Sequence, residues 1–359
     1  MKKKPIGVGL IGLGLISRAH IMGYRDAKGE ASIIAVCDSN MSVAEAAAKN
    51  LGARAYSEYK ALLRDPEIDL VDVTLPHNLH YEVAKAAIEA HKHVVVEKPM
   101  AVKSEQCREL INLSNAAKVA FTVAENTPFV LAYREVENLI RRQELGVPRL
   151  IRTLIYGSEV ERLKDTSNWK GRASGSCGGV IIDAGPHSFY LLKWLFGEIS
   201  SVQASSTKLI EESEVEDHAI VAGRMKNGAI FSTEYTFTAE IPWGERLEIY
   251  GSEGSLIVDQ LSDPPVRRFL GKTDTSGQPV LQVPYDPTGW KLKSISRGVC
   301  DFVKAIRDNR APTIAPWDGY YAVRIAEIAY QSITHSGVLL PVEEEIPNAD
   351  RLMTSSQVK

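Results

Sequence analysis

Cysteine is scarce and scattered. Cys37, Cys107, Cys177 and Cys300 are the only four in 359 residues, and no two form a C-x-x-C pair. Such spacing offers neither a zinc knuckle nor a disulfide framework, so a reducing, cytoplasmic setting is expected. An excess of charge of one sign is also missing: 42 Lys+Arg against 45 Asp+Glu leave a net charge of −3. That balance carries no electrostatic footprint for nucleic acid. No uninterrupted apolar run approaches the roughly 20 residues that a membrane helix needs, so no membrane partner is expected. Internal repeats are absent as well. Lys2, Lys3 and Lys4 ahead of the apolar stretch Ile6 to Ile16 imitate a secretory signal, but Gly7, Gly9, Gly12 and Gly14 interrupt the stretch and no A-x-A site follows. A strand followed by a glycine turn is the better reading.

What is present is enough chain for two domains. The first third alternates short apolar runs (Ile6–Ile11, Ile33–Cys37, Leu70–Thr74, Val94–Val96, Val119–Val123) with helical patterns. Alternation of this kind implies an α/β domain with a parallel sheet and right-handed crossovers. Further along, longer candidates with period-two patterning appear at Ile199–Leu209, Val215–Met225, Ala229–Thr238, Arg246–Tyr250 and Ser255–Asp259, with a hairpin signal at Gly251-Ser252-Glu253-Gly254. A mostly antiparallel sheet is expected there, followed by helices near Leu292–Asp308 and Gly319–Ser336. We place the first domain at residues 1–125, the second at 126–345 and a tail at 346–359. Ser262–Thr288, rich in Pro, Gly, Asp and Thr, is expected to be a long loop or lid.

Four local patterns suggest chemistry. Gly12-Leu13-Gly14-Leu15-Ile16-Ser17 stands between a predicted strand and a predicted helix. Gly12 permits the tight turn, Gly14 lets a pyrophosphate approach the backbone, and the helix start at Leu15 and Ile16 supplies amide donors and a positive dipole end. Asp38, 24 residues beyond Gly14, ends the second strand where a dinucleotide's ribose hydroxyls would lie, and Ser39, Asn40 and Met41 offer no arginine for a 2′-phosphate. NAD is therefore preferred over NADP, a helix cap being the plainer role for that aspartate. Glu97-Lys98-Pro99 follows a strand at the carboxyl edge of the sheet, where open α/β folds place ligands. Finally, Gly178-Gly179 leads to Asp183 and His187, four apart and on one face if the turn is helical. A carboxylate behind an imidazole suits a general base near pH 7, whereas Pro186 starting a helix with Asp183 as its cap is the structural reading of the same residues.

The set formed by G-x-G-x-x-S, Asp38, Thr74-Leu75-Pro76 with His80, Glu97-Lys98-Pro99 and G-G-x-x-x-D-x-x-x-H resembles the Gfo/Idh/MocA family, in order and over nearly the whole chain. The resemblance implies an N-terminal Rossmann domain for NAD and a C-terminal α/β domain built on an open, mostly antiparallel sheet, with a substrate cleft between them. It further implies oxidation or reduction of a carbinol carbon of a sugar, glycoside or cyclic polyol. Carried over by motif, Lys98, Asp183 and His187 are the catalytic set. Thr74, Pro76, His77 and His80 lie along the cofactor, with Glu97 near its nicotinamide end. Asn126, Trp169, Lys170 and Arg172 are candidate contacts to substrate or cofactor. A homodimer, homotetramer or higher oligomer through the second domain is implied too. The sequence adds its own reason for a partner: an outer sheet face with Phe231, Tyr235 and Phe237 or their neighbours would expose apolar surface.

This chain departs from the family pattern in three places. Tyr190 stands where an acidic residue often follows the histidine, Thr127-Pro128-Phe129 replaces a common arginine, and His91 occupies a usual glycine position at a helix end. Two other functions fit the fold: a redox-neutral, glycoside-cleaving enzyme with tightly held NAD, and a non-catalytic dinucleotide-sensing regulator, which the retained Lys98, Asp183 and His187 argue against. His77, His80, His91 and His93 are not read as a metal site, and His218 beside Asp217 is read as a packed or surface histidine.

Overall fold

The computed structural model describes residues 4–280 and 285–343. The chain divides into two units, one with the residues up to Glu125 and Ile295–Val323, the other with Asn126–Ser294 and Arg324–Glu343. In the first, strands and helices alternate as β1 (Ile6–Ile11), α1 (Ser17–Asp26), β2 (Ala31–Cys37), α2 (Met41–Leu51), β3 (Arg54–Tyr56), α3 (Tyr59–Leu63), β4 (Leu70–Val73), α4 (His77–Glu89), β5 (His93–Glu97), α5 (Ser104–Ala117) and β6 (Phe121–Ala124). The six strands pair in parallel in the order β3-β2-β1-β4-β5-β6. This is the doubly wound arrangement, whose order reverses beside β1. Helices cover both faces, so β1 and β4 are buried at every residue and read as continuous apolar runs.

The second unit contains α6 (Leu131–Arg141), β7 (Pro148–Tyr156), α7 (Val160–Lys164), α8 (Ala173–Ser176), α9 (Val180–Asp183), α10 (Gly185–Phe196), β8 (Ile199–Thr207), β9 (His218–Met225), β10 (Ile230–Thr236), β11 (Gly244–Gly251), β12 (Ser255–Asp259), β13 (Val266–Phe269) and β14 (Gln278–Pro279). After α11 (Trp290–Asp308) and α12 (Pro316–Thr334) comes the edge strand β15 (Leu340–Pro341). Its sheet runs β14-β13-β12-β11-β7-β10-β9-β8-β15, antiparallel throughout except for β7 beside β10.

The structure differs from the sequence reading in four respects. Ile295–Val323 packs with the first unit, although it lies within the range assigned to the second domain. The cause is the apolar stripe Ile295, Val299, Phe302 and Val303 on α11; the last three join Val8, Tyr24 and Val36 in one buried cluster. Phe231, Tyr235 and Phe237 face inward and are buried, while Ile230, Ile220, Leu150 and Tyr250 are the exposed apolar residues of the opposite face. A one-residue change of parity sends every side chain of a strand to the other face. Ser262–Thr288 is not loop throughout, because β13 and β14 extend the sheet edge within it. A further strand, β7, lies at the centre of the sheet, and Arg149 and Arg152 break the apolar run that would mark it in the sequence. The tail at 346–359 lies outside the described residues. Among these residues, no helix is long and apolar enough to cross a membrane.

Candidate functional site

The glycine turn leaves β1 as its residue types require. Gly12 has φ +93°, and a Cβ there would come within 2.4 Å of the Thr74 carbonyl oxygen, so a side chain is excluded twice over. Gly14 has nothing within 4 Å of such a Cβ, which leaves its outer side open to a ligand. Ser17 fills the position of the third glycine, buried, with its hydroxyl donated to the Gly14 carbonyl at 2.6 Å. Leu15 is exposed, Ile16 is half-buried, and no hydrogen-bond partner for either amide appears among the described residues. Asp38 is not the cap of α2. Asn40 is, accepting from the Ser42 amide, while Asp38 accepts from the Leu13 amide at 3.1 Å and the Asn40 amide at 2.9 Å. The carboxylate thus lies against the glycine turn with lone pairs to spare.

The Thr74–His80 segment forms the adjoining wall. Thr74 donates its hydroxyl to the Gly12 carbonyl at 2.6 Å. His80 is buried, with its ring nitrogens 2.7 Å from the Pro99 carbonyl and 2.8 Å from that of Leu75. Burial lowers its pKa against the pull of those two oxygens. The polar atoms of both residues are therefore committed to the chain, and they brace the turn and Pro99 rather than project from it. Pro76 precedes α4, and the buried His77 opens it, edge-on to His80 at 5.7 Å between ring centroids.

Behind β4 and β5 lies a group that the sequence reading missed. His20 on α1 is fully buried, with Nδ1 2.8 Å from Asp72 Oδ2 and Nε2 2.9 Å from Glu97 Oε1. Tyr24 donates to the same Asp72 oxygen at 2.8 Å, and Glu97 Oε2 accepts the Lys98 amide at 3.0 Å. Burial opposes the charge on His20, but the two carboxylates outweigh it and raise its pKa to about 10. Burial likewise pushes Glu97 up, and the bond from His20 more than reverses this, leaving it below the usual carboxylate range. One sequence signal was available: Asp72 is a carboxylate inside a strand buried on both faces.

In the second unit, Asp183 ends α9 and His187 lies in the first turn of α10; both are buried. Lys170 Nζ is 2.9 Å from Asp183 Oδ2 and 3.3 Å from Glu159 Oε1, and 5.0 Å from the centre of the Phe237 ring. The turn before α9 is anchored by Glu216, which accepts from the Gly179 amide at 3.0 Å, the Ile181 amide at 3.2 Å and the Tyr330 hydroxyl at 2.7 Å. Only glycine fits at 179, since a Cβ would fall 1.7 Å from the Glu216 carbonyl oxygen. Asn126 donates to Ser294 at 2.8 Å. Arg172 is spent on Glu214 and the Thr166 carbonyl, which commits its guanidinium to the loop. Trp169 is half-buried at the start of a 3-10 turn, and Tyr190 is buried on α10. His218 is held by Asp217 at 2.6 Å and by the hydroxyls of Thr236 and Thr238.

A family model described as an oxidoreductase family with an NAD-binding Rossmann fold matches residues 6–125, and the GFO/IDH/MocA C-terminal domain model matches residues 133–257. The chain is 30% identical to an uncharacterized oxidoreductase, sll0816, of Synechocystis, over 98% of this chain and all of that protein. The chain belongs to the Gfo/Idh/MocA oxidoreductase family. It is also 23% identical to an inositol 2-dehydrogenase/D-chiro-inositol 3-dehydrogenase of Lactiplantibacillus plantarum, over 98% of this chain and 97% of that protein. In fold it is similar to the WlbA dehydrogenase of Bordetella pertussis, solved with NADH and UDP-GlcNAcA, at a TM-score of 0.87 and 22% identity, over 96% of this chain and all of that one.

The enzyme is thus an NAD-dependent oxidoreductase, and its first unit fits the cofactor. The space beyond Gly14, the helix-start amides and a carboxylate beside the turn, followed by Ser39, Asn40 and Met41 rather than an arginine, are what a pyrophosphate and an unphosphorylated ribose require. Among the described residues, no group of three or more His, Cys, Asp or Glu could hold a metal ion.

Proposed function

We propose that the enzyme moves hydride between NAD and a carbinol carbon of a sugar, glycoside or cyclic polyol, with Lys98, Asp183 and His187 as its catalytic set. The observation that carries this reading is the second-unit group, in which Asp183 and His187 are both buried across one helical junction and Lys170 sits 2.9 Å from Asp183. Buried acid, base and cation together are costly for stability alone and are a signature of proton handling. The family membership and the relatives named above support the substrate class.

When bound, NAD supplies the redox chemistry by taking or returning the hydride. His187 takes the hydroxyl proton in the oxidative direction and gives it back in the reverse one. Asp183, held by Lys170, orients the imidazole. Lys98 donates to the substrate oxygen and stabilises the negative charge that grows on it. Glu97 and Pro99 fix the main chain on either side of that lysine. Trp169 and Asn126 flank the substrate.

The test is absorbance at 340 nm on the enzyme with NAD and a panel of sugars, inositols and glycosides, after assaying denatured protein for carried-over cofactor. Accumulating NADH with one class is the expected result and names the substrate family. Lys98→Ala and His187→Ala should then lower turnover by about two to four orders of magnitude with NAD affinity nearly unchanged. Product without NADH, with NAD retained, would replace this reading by the redox-neutral one.

A further inference from the structure

We propose that His20 is a positioning residue for the catalytic lysine: as a doubly hydrogen-bonded imidazolium, it clamps Glu97, and through Glu97 the main chain at Lys98, to the helix that begins at the glycine turn. The clause concerning Lys98 rests on the function proposed above, whereas the clamp itself does not.

The argument is one of donors and acceptors. An ionised carboxylate can only accept, and His20 presents each ring nitrogen to one, at 2.8 Å for Asp72 and 2.9 Å for Glu97. Both nitrogens must then carry hydrogen, which makes the ring a cation. Two carboxylates and one imidazolium leave the group at −1. Such a group is tolerated at full burial only while every partner is in place, since removing one member strands a charge. The remaining acceptors are also used, by Tyr24 on Asp72 and by the Lys98 amide on Glu97. Five elements meet here and bring the other titratable groups with them: Tyr24 from α1, Asp72 from β4, Glu97 and Lys98 at the end of β5, His80 from α4, and Cys300 from α11 beside Tyr24.

The geometry gives the cluster a direction. The glycine turn and Asp38 occupy the β1–β2 half of the sheet, which takes the adenosine half of a dinucleotide, so the β4–β5 half faces the nicotinamide side. Glu97 and Lys98 end β5 on that side, while His20 rides on α1, whose first turn faces the pyrophosphate. A three-residue bridge therefore ties the part of the unit that holds the phosphates to the part that carries the lysine. A side chain that only filled space between helix and sheet would need no charge, and an aliphatic residue would serve.

Two measurements decide it. In nitrogen-15 spectra of the full-length enzyme, the His20 ring, assigned by its loss in His20→Gln, should show two protonated nitrogens unchanged from pH 6 to 9. A neutral tautomer, or a titration within that range, overturns the proposal. The second probe is NADH alone, followed by its fluorescence on binding. Without its cation, two buried carboxylates share one site, where like charges make it unfavourable for both to ionise. The ratio of the NADH dissociation constants of His20→Gln and wild type should therefore rise about tenfold over that range. The double variant His20→Gln/Glu97→Gln, with a single carboxylate, should lose most of that rise. A ratio constant with pH would mean a structural histidine only and would overturn the clamp. Should His20→Gln fail to fold, the assignment is made in Tyr24→Phe and the spectra of the wild type decide. Wild type that binds NADH but turns over no sugar or polyol would sink the proposed function while leaving both readouts intact.

Discussion

At the scale of single residues, the cofactor unit shows how little each side chain is free to choose. Asp38 is half-buried, and its two oxygens already accept the Leu13 and Asn40 amides. Its carboxylate is thereby fixed against the glycine turn, a position from which it would repel a 2′-phosphate. Asp38→Ala should weaken NAD binding by roughly tenfold and narrow the preference for NAD over NADP, as titration of each cofactor would show. An unchanged preference would assign the ribose to another residue. Part of the weakening would come from the turn itself, since the Leu13 amide loses its acceptor. His91 follows the same logic in the opposite direction: it sits at φ +55° just beyond α4, where a glycine would avoid the steric cost of the left-handed region. The sequence pattern exposed both positions because each is local. The committed atoms of Thr74, His80 and Arg172 could not be seen, because their partners come from distant parts of the chain or from carbonyls with no sequence signature.

At the scale of elements, the junction of α9 and α10 depends on a residue from outside it. Glu216 accepts three hydrogen bonds, two from amides at the start of α9 and one from Tyr330 on α12. Burial and the neighbouring carboxylate push the Tyr330 hydroxyl well above its ordinary pKa, so it stays a donor. Glu216→Gln replaces one acceptor by a donor facing donors, which should cost about 1–3 kcal/mol in urea unfolding. Because the same turn delivers Asp183, turnover should fall with NAD affinity unchanged; equal loss of both would show that the carboxylate supports the whole chain instead. The sequence displayed Gly178-Gly179, Asp183 and His187 as a block. It could not display their anchor, 37 residues later in a segment without a motif. The same limit applies to β7, whose Arg152 belongs to an exposed face and is matched there by Glu234 and Glu248 at 3.1 and 3.2 Å.

At the scale of the molecule, that face of the second sheet is the outstanding surface. Leu150, Ile220, Ile230 and Tyr250 are exposed on it, interleaved with the Arg152, Glu234, Glu248 and Arg246 ion pairs. Apolar groups within a charged lattice of both signs suit a copy of the same face. We propose a homodimer or homotetramer formed there, and sedimentation at micromolar concentration should find it. A 39.5 kDa monomer alone would refute this, and Ile230→Lys should dissociate the oligomer without altering NAD binding.

The sequence by itself determined what is local or periodic. It set the glycine turn and its helix, the strand-ending aspartate, the alternation that makes a parallel sheet, and the period-two strands of the second sheet. These follow from backbone sterics and from which side of an element must leave water. Tertiary structure alone decided which face of β10 is inward, why Ile295–Val323 joins the first unit, and how His20, Asp72 and Glu97 come to share a proton network. Those outcomes depend on partners brought from far along the chain, and a buried charge finds its counterion only once the chain has folded around both.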